Sequence, residues 1–377
     1  MTESRKAYPP IVVLLGGPSA EHDVSVVSGT AIADALAGEG LDVRQVLIDL
    51  GGRWWWLPAG HRRDGRPQAD YDDPRGLGTE GPLTVGAAVD RLAGARPAPV
   101  VFIALHGPFG EDGIVQALLE AAGVAYTGAG IMASALGMDK IEQKRIWRGL
   151  GLPVIDWLEV RSASWTSSRS AVFTQLEAFA AGSPGADPRL MVKPARLGSS
   201  VGMTLAHTAD EREAALDLAF RYDDLAIVER YLAGARDLEI SVIGTEAPLG
   251  VYGPGEIVAG HEFYDYAAKY TPGLSETSTR AEVSDATREL MRKLARDAFR
   301  ALGTEGFARI DFLVQGDAIY LSEINTIPGF TPISLFPTMP AEAGLDFAAV
   351  CLRIIDLALE RDAARARPAL IPRDLPR

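Results

Sequence analysis

The chain has 377 residues, more than one small hydrophobic core usually organises, so we expect two or three globular domains. Its 50 acidic and 37 basic residues give a formal charge of −13, which argues against a nucleic-acid-binding surface and against attraction to anionic membranes. An anionic ligand must therefore meet locally clustered Lys and Arg side chains.

The first ten residues lack the long apolar stretch of a signal peptide, and no window reaches the roughly 18 consecutive apolar residues of a membrane helix. We therefore expect a cytoplasmic protein with no membrane partner. The single cysteine, Cys351, excludes an internal disulfide. Its apolar, helix-like surroundings predict a buried packing residue rather than a nucleophile.

The chain opens with a β-α-β pattern. The string IVVLLGG predicts a buried strand that ends in a glycine turn at Gly16 and Gly17, followed by an amphipathic helix and a second strand, VRQVLIDL. Glu21 falls close to the start of that helix. It is either a partner for the helix dipole or a ligand-binding residue in the turn, and this motif alone leaves both readings open.

Residues 51–97 are rich in Gly, Pro, Arg and Asp, which predicts loops with a short hairpin. The Trp54–Trp56 run cannot turn three rings to one side of a strand, so at least one ring should pack on a loop or a subunit contact. A strand, PVVFIALHG, then leads into EDGIVQALLEAAG, which predicts a helix with acids in its first turn. We place a domain boundary near 126–130, giving a first domain of 1–127.

The string KPARLGSSVGM predicts a strand that carries Lys193, a glycine loop and a second strand. Gly198, Ser199 and Ser200 leave backbone amides free to approach phosphate oxygens, although the string is not a Walker loop. Such a flap could cover a nucleotide and exclude water. Lys140 could add a phosphate contact, or it could be an ordinary solvated lysine. The central domain is placed at 128–228.

A third domain is placed at 229–377. The strings IVERYLAG and RDLEISVIG predict a strand pair, and SDATRELMRKLARDAFRALG predicts a long amphipathic helix. Between them lies HEFYDYAAKYTPGLSETS, which is either a surface loop or a lid that closes on a small substrate, and its tyrosines favour the lid. There Lys269 could reach phosphate, whereas His261 is expected to be a solvated surface residue.

The most informative strings are GFARIDFLV and YLSEINTIPGFTPISLFP. They place Asp311, Glu323 and Asn325 on two adjacent strand-like runs, and hard oxygen ligands of this kind suit magnesium. Arg309 lies two residues before Asp311, so alternation along a strand should turn both side chains to one face. A fixed positive charge beside a metal suits a triphosphate.

Seven strings together resemble the D-alanine:D-alanine ligases, which are members of the ATP-grasp superfamily. The strings are GGPSAEHDVS, ALHGPFGEDG, YTGAGIMASALGMDK, KPARLGSSVGM, FYDYAAKY, GFARIDF and EINTIPGFTPISL, and the similarity runs from about residue 11 to residue 355. The resemblance implies three α/β domains. The first would be a doubly wound parallel-sheet domain, and ATP would lie between the central and C-terminal domains.

The resemblance also implies the ligands. ATP would contact Lys140, Lys193, Ser200, Glu229, Arg230, Leu232, Asp237 and Lys269. Two magnesium ions, for which Mn²⁺ can substitute, would bind to Asp311, Glu323 and Asn325. The chain would act on D-alanine and ATP and would form a homodimer.

The resemblance assigns the remaining site residues to the two amino acids. Glu21, in a network with Ser199 and Tyr270, would bind the ammonium of the first D-alanine, and His106 would help to orient that substrate. Arg309 and the amide of Gly329 would stabilise the oxyanion when the second amine attacks an acyl phosphate. Ser334 and the amide of Leu335 would bind the second substrate's carboxylate.

Three functions are therefore compared. The first is ATP-dependent ligation of two D-alanines for peptidoglycan precursors, or of a related D-amino or D-hydroxy acid pair. Relatives that make D-alanyl-D-lactate carry a His-containing lid, and the FYDYAAKY string here favours peptide-bond over ester formation. The second is another ATP-grasp enzyme, such as a carboxylase of the biotin type or an amide ligase for larger acids. The third is a non-catalytic ATP-binding protein.

Overall fold

A computed structural model of the chain describes residues 7–182, 187–259 and 275–365. None of the helices in those ranges combines the length and the apolar character that crossing a membrane requires. Its strands form three sheets, with six, four and five members. The α-helices of these ranges are α1 (His22–Gly38), α2 (Val85–Gly94), α3 (Ile114–Ala121), α4 (Ile131–Met138), α5 (Lys140–Gly149), α6 (Ser162–Ser167), α7 (Arg169–Ala181), α8 (Ala209–Ala219), α9 (Asp285–Ala301), α10 (Leu335–Thr338) and α11 (Phe347–Arg365).

The first sheet confirms the predicted β-α-β opening. Its strands are β1 (Ile11–Gly16), β2 (Val43–Ile48), β3 (Trp54–Trp56), β4 (Glu80–Leu83), β5 (Val100–Ile103) and β6 (Ala125–Tyr126). They run in the order β4-β3-β2-β1-β5-β6. The central strand β1 pairs in parallel with β2 and β5, and β5 pairs in parallel with β6. Strands β3 and β4 continue the sheet as antiparallel additions.

Helices cover both faces of this sheet because β1 is apolar on both sides. Ile11 and Val13 are buried with residues of α1 and α11. Val12 and Leu14 point the other way and are buried with residues of α2 and α3. The predicted doubly wound, parallel-sheet arrangement of this region is therefore confirmed. Loops at the carboxyl ends of β1 and β5 open toward the rest of the molecule.

Residues 51–97 are more ordered than the sequence suggested. Besides loops they contain the antiparallel strands β3 and β4, in the region where a hairpin was expected. They also contain the helix α2, which the sequence analysis did not predict. All three tryptophans of β3 are buried. Trp54 and Trp56 join the sheet core, whereas Trp55 packs on the opposite side with Tyr71 from the following loop. One ring does therefore pack on a loop, as alternation along the strand requires.

The second sheet contains the predicted glycine flap. It consists of β7 (Trp157–Arg161), β8 (Leu190–Pro194), β9 (Thr204–Ala206) and β10 (Leu225–Arg230), in the order β7-β10-β8-β9. All of its neighbours are antiparallel, and β8 and β9 flank the Gly198–Gly202 loop as expected. The apolar faces of α6, α7 and α8 cover one side of this sheet.

The third sheet is antiparallel and consists of β11 (Arg236–Ile243), β12 (Gly250–Ala259), β13 (Ser275–Ser278), β14 (Phe307–Gln315) and β15 (Ala318–Asn325). Its order is β13-β12-β11-β14-β15. The predicted pairing of IVERYLAG with RDLEISVIG is wrong, because β10 and β11 belong to different sheets. The predicted long amphipathic helix is α9, which begins at its cap Ser284, whose hydroxyl accepts from the Thr287 amide. Its apolar face packs on this sheet.

The three sheets follow one another along the chain, but the C-terminal helix returns to the first of them. Helix α11 buries its apolar face against residues of β1 and β5, and Cys351 lies fully buried in that interface, as predicted. The boundary drawn near residues 127 and 128 falls in the loop between β6 and α4. The boundary drawn at 228 and 229 falls inside β10, so the second sheet extends past it.

Candidate active site

A cavity of about 1000 Å³ lies where the three sheets meet. Its walls come from the loops after β1 and β5, the glycine flap, the end of β10, and one face of the third sheet. Every site residue that the sequence analysis named within the described ranges lines this cavity. Lys269 and Tyr270, together with His261, belong to 260–274, outside the described residues. The roles of all these residues stay predictions.

The predicted metal ligands face one another across two strands. Asp311 of β14 is the register partner of Glu323 of β15, and Arg309 is the partner of Asn325. Alternation turns Arg309 and Asp311 to the same face, as expected. Two hydrogen bonds of 2.7 Å each join the Arg309 guanidinium to the Asp311 carboxylate, and the Asn325 side-chain amide donates to that carboxylate at 2.9 Å.

This donor set fits a hard divalent cation. Asp311 and Glu323 put two carboxylates opposite each other, and the Asn325 amide donates through nitrogen, which leaves its oxygen for another partner. Within the described residues no group of three His, Cys, Asp or Glu side chains forms a metal site. Besides the two carboxylates, a cation here would therefore need the Asn325 amide oxygen and oxygens from a bound ligand or from water.

The Arg309 guanidinium also contacts a second carboxylate, which the sequence analysis did not name. Glu239 of β11 is the register partner of Asp311, and its Oε1 lies 3.2 Å from the Arg309 Nε. Burial lowers the pKa of the guanidinium, but the charges of Asp311 and Glu239 outweigh it and hold that pKa well above its ordinary value. Arg309 is therefore a fixed positive charge facing the cavity.

The candidate phosphate lysines are already paired with acids. Lys140, the first residue of α5, lies 3.1 Å from the Glu323 Oε2 and donates to the Leu197 carbonyl at 2.8 Å. Lys193 of β8 lies 2.6 Å from the Glu229 Oε2 on β10. Each lysine therefore joins the glycine-flap side of the cavity to a neighbouring element, and its charge lies at the cavity wall.

Lys144 is a buried residue that the sequence analysis missed. It follows Lys140 by one turn of α5, and its ammonium lies 2.6 Å from the Glu229 Oε1, fully buried. Burial raises the pKa of Glu229, but the charges of Lys144 and Lys193 outweigh it and lower that pKa to about 2. Because both carboxylate oxygens face lysines, the backbone around Glu229 is the part that a nucleotide base could contact.

The flap touches the first sheet through Glu21. The Ser199 hydroxyl donates to the Glu21 Oε1, which joins the glycine loop to the turn before α1. Ser199 and Ser200 have φ values of 51° and 57°, a left-handed conformation that non-glycine residues rarely adopt. The serines predicted from the glycine-rich string therefore occupy a strained loop whose position is fixed by a bond to the substrate-side carboxylate.

The Glu21 carboxylate is closely surrounded by backbone. A Cβ built on Gly107 would lie 2.4 Å from the Glu21 Oε2, and one on Gly198 would lie 3.0 Å from it. The same Oε2 is buried and has no hydrogen-bond partner among the described residues. A buried carboxylate oxygen without a donor suits a cationic ligand, so the ligand-binding reading of Glu21 is favoured over a simple helix-dipole role.

His106 is engaged by protein on both ring nitrogens. Its Nδ1 lies 2.9 Å from the Ile327 carbonyl, and its Nε2 lies 2.9 Å from the Ser28 hydroxyl. Burial lowers the pKa of His106, although the charge of Glu21 opposes this. The imidazole is therefore neutral near pH 7. Any influence of His106 on a substrate is exerted through the residues that it holds.

Glu111 is the third residue that the sequence analysis missed. It was assigned to the first turn of α3, but that helix begins at Ile114 and the acids precede it. The Glu111 carboxylate instead accepts hydrogen bonds from the amides of Gly107, at 2.7 Å, and Ile327, at 3.1 Å. Burial and the nearby Glu21 charge raise its pKa to about 8. The string GPFGEDG did contain it, between glycines that favour a turn.

The far end of the cavity contains the predicted second-substrate residues. The Ser334 hydroxyl accepts from the Thr331 amide at 3.1 Å and lies 2.8 Å from the Thr331 hydroxyl. Gly329 precedes this turn, and a Cβ there would lie 3.4 Å from the Ser334 hydroxyl. Gly329 and Leu335 thus belong to one short segment that lines the same cavity as Arg309.

Another part of the cavity wall contains the predicted nucleotide residues Arg230, Leu232 and Asp237. The Arg230 guanidinium stacks on the Phe179 ring at 4.5 Å, and its Nη1 is buried with no hydrogen-bond partner among the described residues. Leu232 and Asp237 line the same wall, on the connection from β10 to β11 and at the start of β11.

Comparisons with known proteins agree with this architecture. Residues 10–129 match the family model of the D-ala D-ala ligase N-terminus, and residues 146–356 match that of the D-ala D-ala ligase C-terminus. A D-alanine–D-alanine ligase of Heliobacterium modesticaldum is 38% identical over 372 residues, covering 95% of this chain and 97% of the relative. One from Kineococcus radiotolerans is 38% identical over 378 residues, covering 95% and 98%.

Two solved structures are also similar. The D-alanine-D-alanine ligase from Coxiella burnetii has a TM-score of 0.76 and 31% identity, covering 95% of this chain and 97% of that one. The VanG D-Ala:D-Ser ligase from Enterococcus faecalis has a TM-score of 0.78 and 28% identity, covering 93% and 100%.

Proposed function

The chain belongs to the D-alanine–D-alanine ligase family, and on that premise we propose that its cavity joins two D-alanines through an acyl phosphate. It is an ATP-dependent ligase that uses a divalent metal, and its product serves peptidoglycan precursor synthesis. The observation that carries the proposal is that one cavity contains both a site suited to an anionic group and a site suited to a cationic group. Arg309 with Asp311 suits a phosphoryl group, and Glu21 suits an ammonium.

The first D-alanine binds through its ammonium to Glu21. The buried Oε2 of that carboxylate has no donor among the described residues, and the Ser199 hydroxyl holds the other oxygen. Tyr270, outside the described residues, would complete this network. Because the carboxylate is fixed between Gly107 and Gly198, it orients the substrate's own carboxyl group rather than merely attracting it.

The nucleotide lies against the flap and the third sheet. Lys140 and Lys193, with Lys269 outside the described residues, neutralise phosphate oxygens, while Ser200 on the flap and Asp237 on β11 contact the nucleotide. Asp311, Glu323 and Asn325 would hold two magnesium ions, for which Mn²⁺ could substitute. When bound, they supply charge neutralisation to the transferring phosphoryl group. The adenine is read by the backbone from Glu229 to Leu232.

Ligation follows in two steps. A carboxylate oxygen of the first D-alanine takes the γ-phosphoryl group and ADP leaves, which turns a poor electrophile into an acyl phosphate. The amine of the second D-alanine, after losing a proton, forms a bond to the acyl carbon and phosphate leaves. Arg309 and the Gly329 amide stabilise the oxyanion between these events. The flap excludes water, which would otherwise hydrolyse the acyl phosphate.

The second substrate is selected at the turn that contains Ser334. Its hydroxyl and the Leu335 amide bind the carboxylate, while the attacking group must be an amine. D-serine differs from D-alanine by one hydroxyl, and the likeness to a D-Ala:D-Ser ligase makes it the competitor to compare. We propose that D-alanine is the second substrate. We also propose that the protein is cytoplasmic and forms a homodimer, whose mass light scattering can measure.

Substrate-dependent phosphate release tests the proposal. Purified protein with ATP and MgCl₂ is given D-alanine, D-serine, D-lactate or L-alanine, and products are identified by mass. We expect D-alanyl-D-alanine as the main product, with the highest kcat/KM for D-alanine. A higher kcat/KM for D-lactate or D-serine than for D-alanine at neutral pH would instead support ligation of a related D-hydroxy or D-amino acid pair. The proposal would be refuted if none of these four compounds stimulated the release of phosphate.

A further inference from the structure

The turn that carries Gly329 is anchored on both sides by residues of the first sheet's loops. Before the glycine, the Ile327 amide donates to the Glu111 Oε1 at 3.1 Å, and the Ile327 carbonyl lies 2.9 Å from the His106 Nδ1. After it, the Phe330 amide donates to the Ser28 hydroxyl at 3.4 Å. The glycine therefore lies between two fixed peptide units.

These contacts form one hydrogen-bonded chain with a consistent direction. A neutral His106 that donates from Nδ1 to the Ile327 carbonyl must accept at Nε2, so the Ser28 hydroxyl donates to it. The Ser28 oxygen is then free to accept from the Phe330 amide. Each polar group has a partner of the right kind, which gives the turn one preferred position.

Glu111 is the residue that joins this chain to the substrate loop. One carboxylate oxygen accepts from Ile327 and the other accepts from Gly107 at 2.7 Å, next to the backbone against which Glu21 packs. Glu111 and Ile327 are 216 residues apart in the sequence. The Ile327 side chain is itself buried in the core of the first sheet. A single carboxylate thus couples the ammonium-binding loop to the turn with the oxyanion donor.

We propose that Glu111 is a positioning residue for the ligation step, holding the turn from Ile327 to Phe330 so that the Gly329 amide and the Arg309 guanidinium face the same oxyanion. This inference rests on the proposed role of Gly329. Two amide donors converge on the two oxygens of Glu111, and above its pKa of about 8 both oxygens are full acceptors. Glutamine, with one oxygen and an NH₂ group, can satisfy only one of the two amides, so the variants are compared above that pH.

The test compares Glu111→Gln and Glu111→Ala with a matched control in the same loop. Asp112 accepts from the amides of Phe109 and Ile114 within its own loop and the start of α3, so Asp112→Ala disturbs that loop without removing an acceptor from Ile327. Because a misplacement of about 1 Å can cost about 100-fold in rate, we expect kcat to fall about 10-fold for Glu111→Gln and about 100-fold for Glu111→Ala. KM for ATP should stay unchanged, and Asp112→Ala should keep kcat near wild type.

Backbone hydrogen exchange gives a second readout that needs no activity and no fully stable alanine variant. Glu111→Gln should speed exchange at the Ile327 amide, which donates to Glu111, and Asp112→Ala should not. Wild-type kcat in both Glu111 variants, an equal loss in Asp112→Ala, or unchanged exchange at Ile327 would overturn the inference. A wild-type protein that makes no dipeptide would instead overturn the proposed function, and exchange would still decide whether Glu111 holds the turn.

Discussion

Arg309 offers the sharpest test of the site, because the structure gives it two separable tasks. Its guanidinium holds the Asp311 carboxylate with two hydrogen bonds of 2.7 Å and lies 3.2 Å from Glu239. Arg309→Ala leaves these two acids without their cation. Because the Arg309 and Asp311 side chains are partly exposed, we expect the loss of unfolding free energy to lie below the roughly 3–5 kcal/mol typical of fully buried pairs. The loss of one oxyanion donor is expected to lower kcat about 100- to 1000-fold, or about 2.7–4 kcal/mol of barrier.

Steady-state kinetics and urea denaturation measure the two effects separately. Rates are taken at a temperature where circular dichroism shows each variant folded, so that lost stability does not appear as lost kcat. Arg309→Lys keeps the charge but cannot make the two-pronged contact, so we expect it to recover stability more than turnover. KM for ATP should change little in either variant, because the base is proposed to contact the backbone from Glu229 to Leu232 and not Arg309.

A matched control comes from the same sheet. Arg236 of β11 also binds a glutamate, Glu256, through two hydrogen bonds of 2.7 Å, but it is partly exposed and does not line the cavity. Arg236→Ala should therefore leave kcat unchanged. It should lower the unfolding free energy by only about 0–1 kcal/mol, which is what exposed pairs contribute. Unaltered turnover in Arg309→Ala, or an equal loss in Arg236→Ala, would remove Arg309 from the mechanism.

Three further outcomes are expected. Gly107→Ala places a methyl group 2.4 Å from the Glu21 Oε2 at a residue with a φ of 75°, so KM for D-alanine should rise in steady-state assays; an unchanged KM would argue against Glu21 as the ammonium site. The pKa of Glu229 is about 2 in the folded protein, so the stability from its pairing with Lys144 is present above its ordinary value of 4.5 and is lost as pH falls from about 4.5 toward about 2. Urea titrations at several acidic pH values should show a flatter pH dependence for Glu229→Gln, and identical slopes would contradict the pairing. Burial raises the pKa of Cys351 far above its ordinary value, so iodoacetamide should label it only after unfolding; rapid labelling of the native protein would show that α11 does not stay docked.

Local sequence pattern was enough where a side chain's direction follows from its own strand. Alternation alone put Arg309 and Asp311 on one face, and the structure shows them bonded. The glycine-rich string around Ser199 likewise predicted a loop between two strands. Both predictions depend on geometry that repeats every two residues or on backbone freedom, and neither requires knowledge of a distant segment.

The missed residues depend on contacts between distant segments. Glu111 was assigned to the start of a helix, which is the common place for an acid, and its partner Ile327 is 216 residues away. Lys144 resembled any other lysine on a polar helix, but α5 packs where Glu229 of β10 comes within 2.6 Å. The pairing of β10 with β11 was wrong for the same reason, because adjacency in sequence does not decide which sheet a strand joins.

The sequence by itself determined the β-α-β opening, the glycine flap, the chemical types at the site, and the family to which the chain belongs, since these are written in local periodicity and in short ordered strings. Only the tertiary structure decided which charges neutralise one another, which peptide units fix the Gly329 turn, and that one Glu21 oxygen is buried with no donor among the described residues. The physical reason is that pairing energies and desolvation depend on distances of a few ångströms between residues that the chain separates by one hundred or more positions.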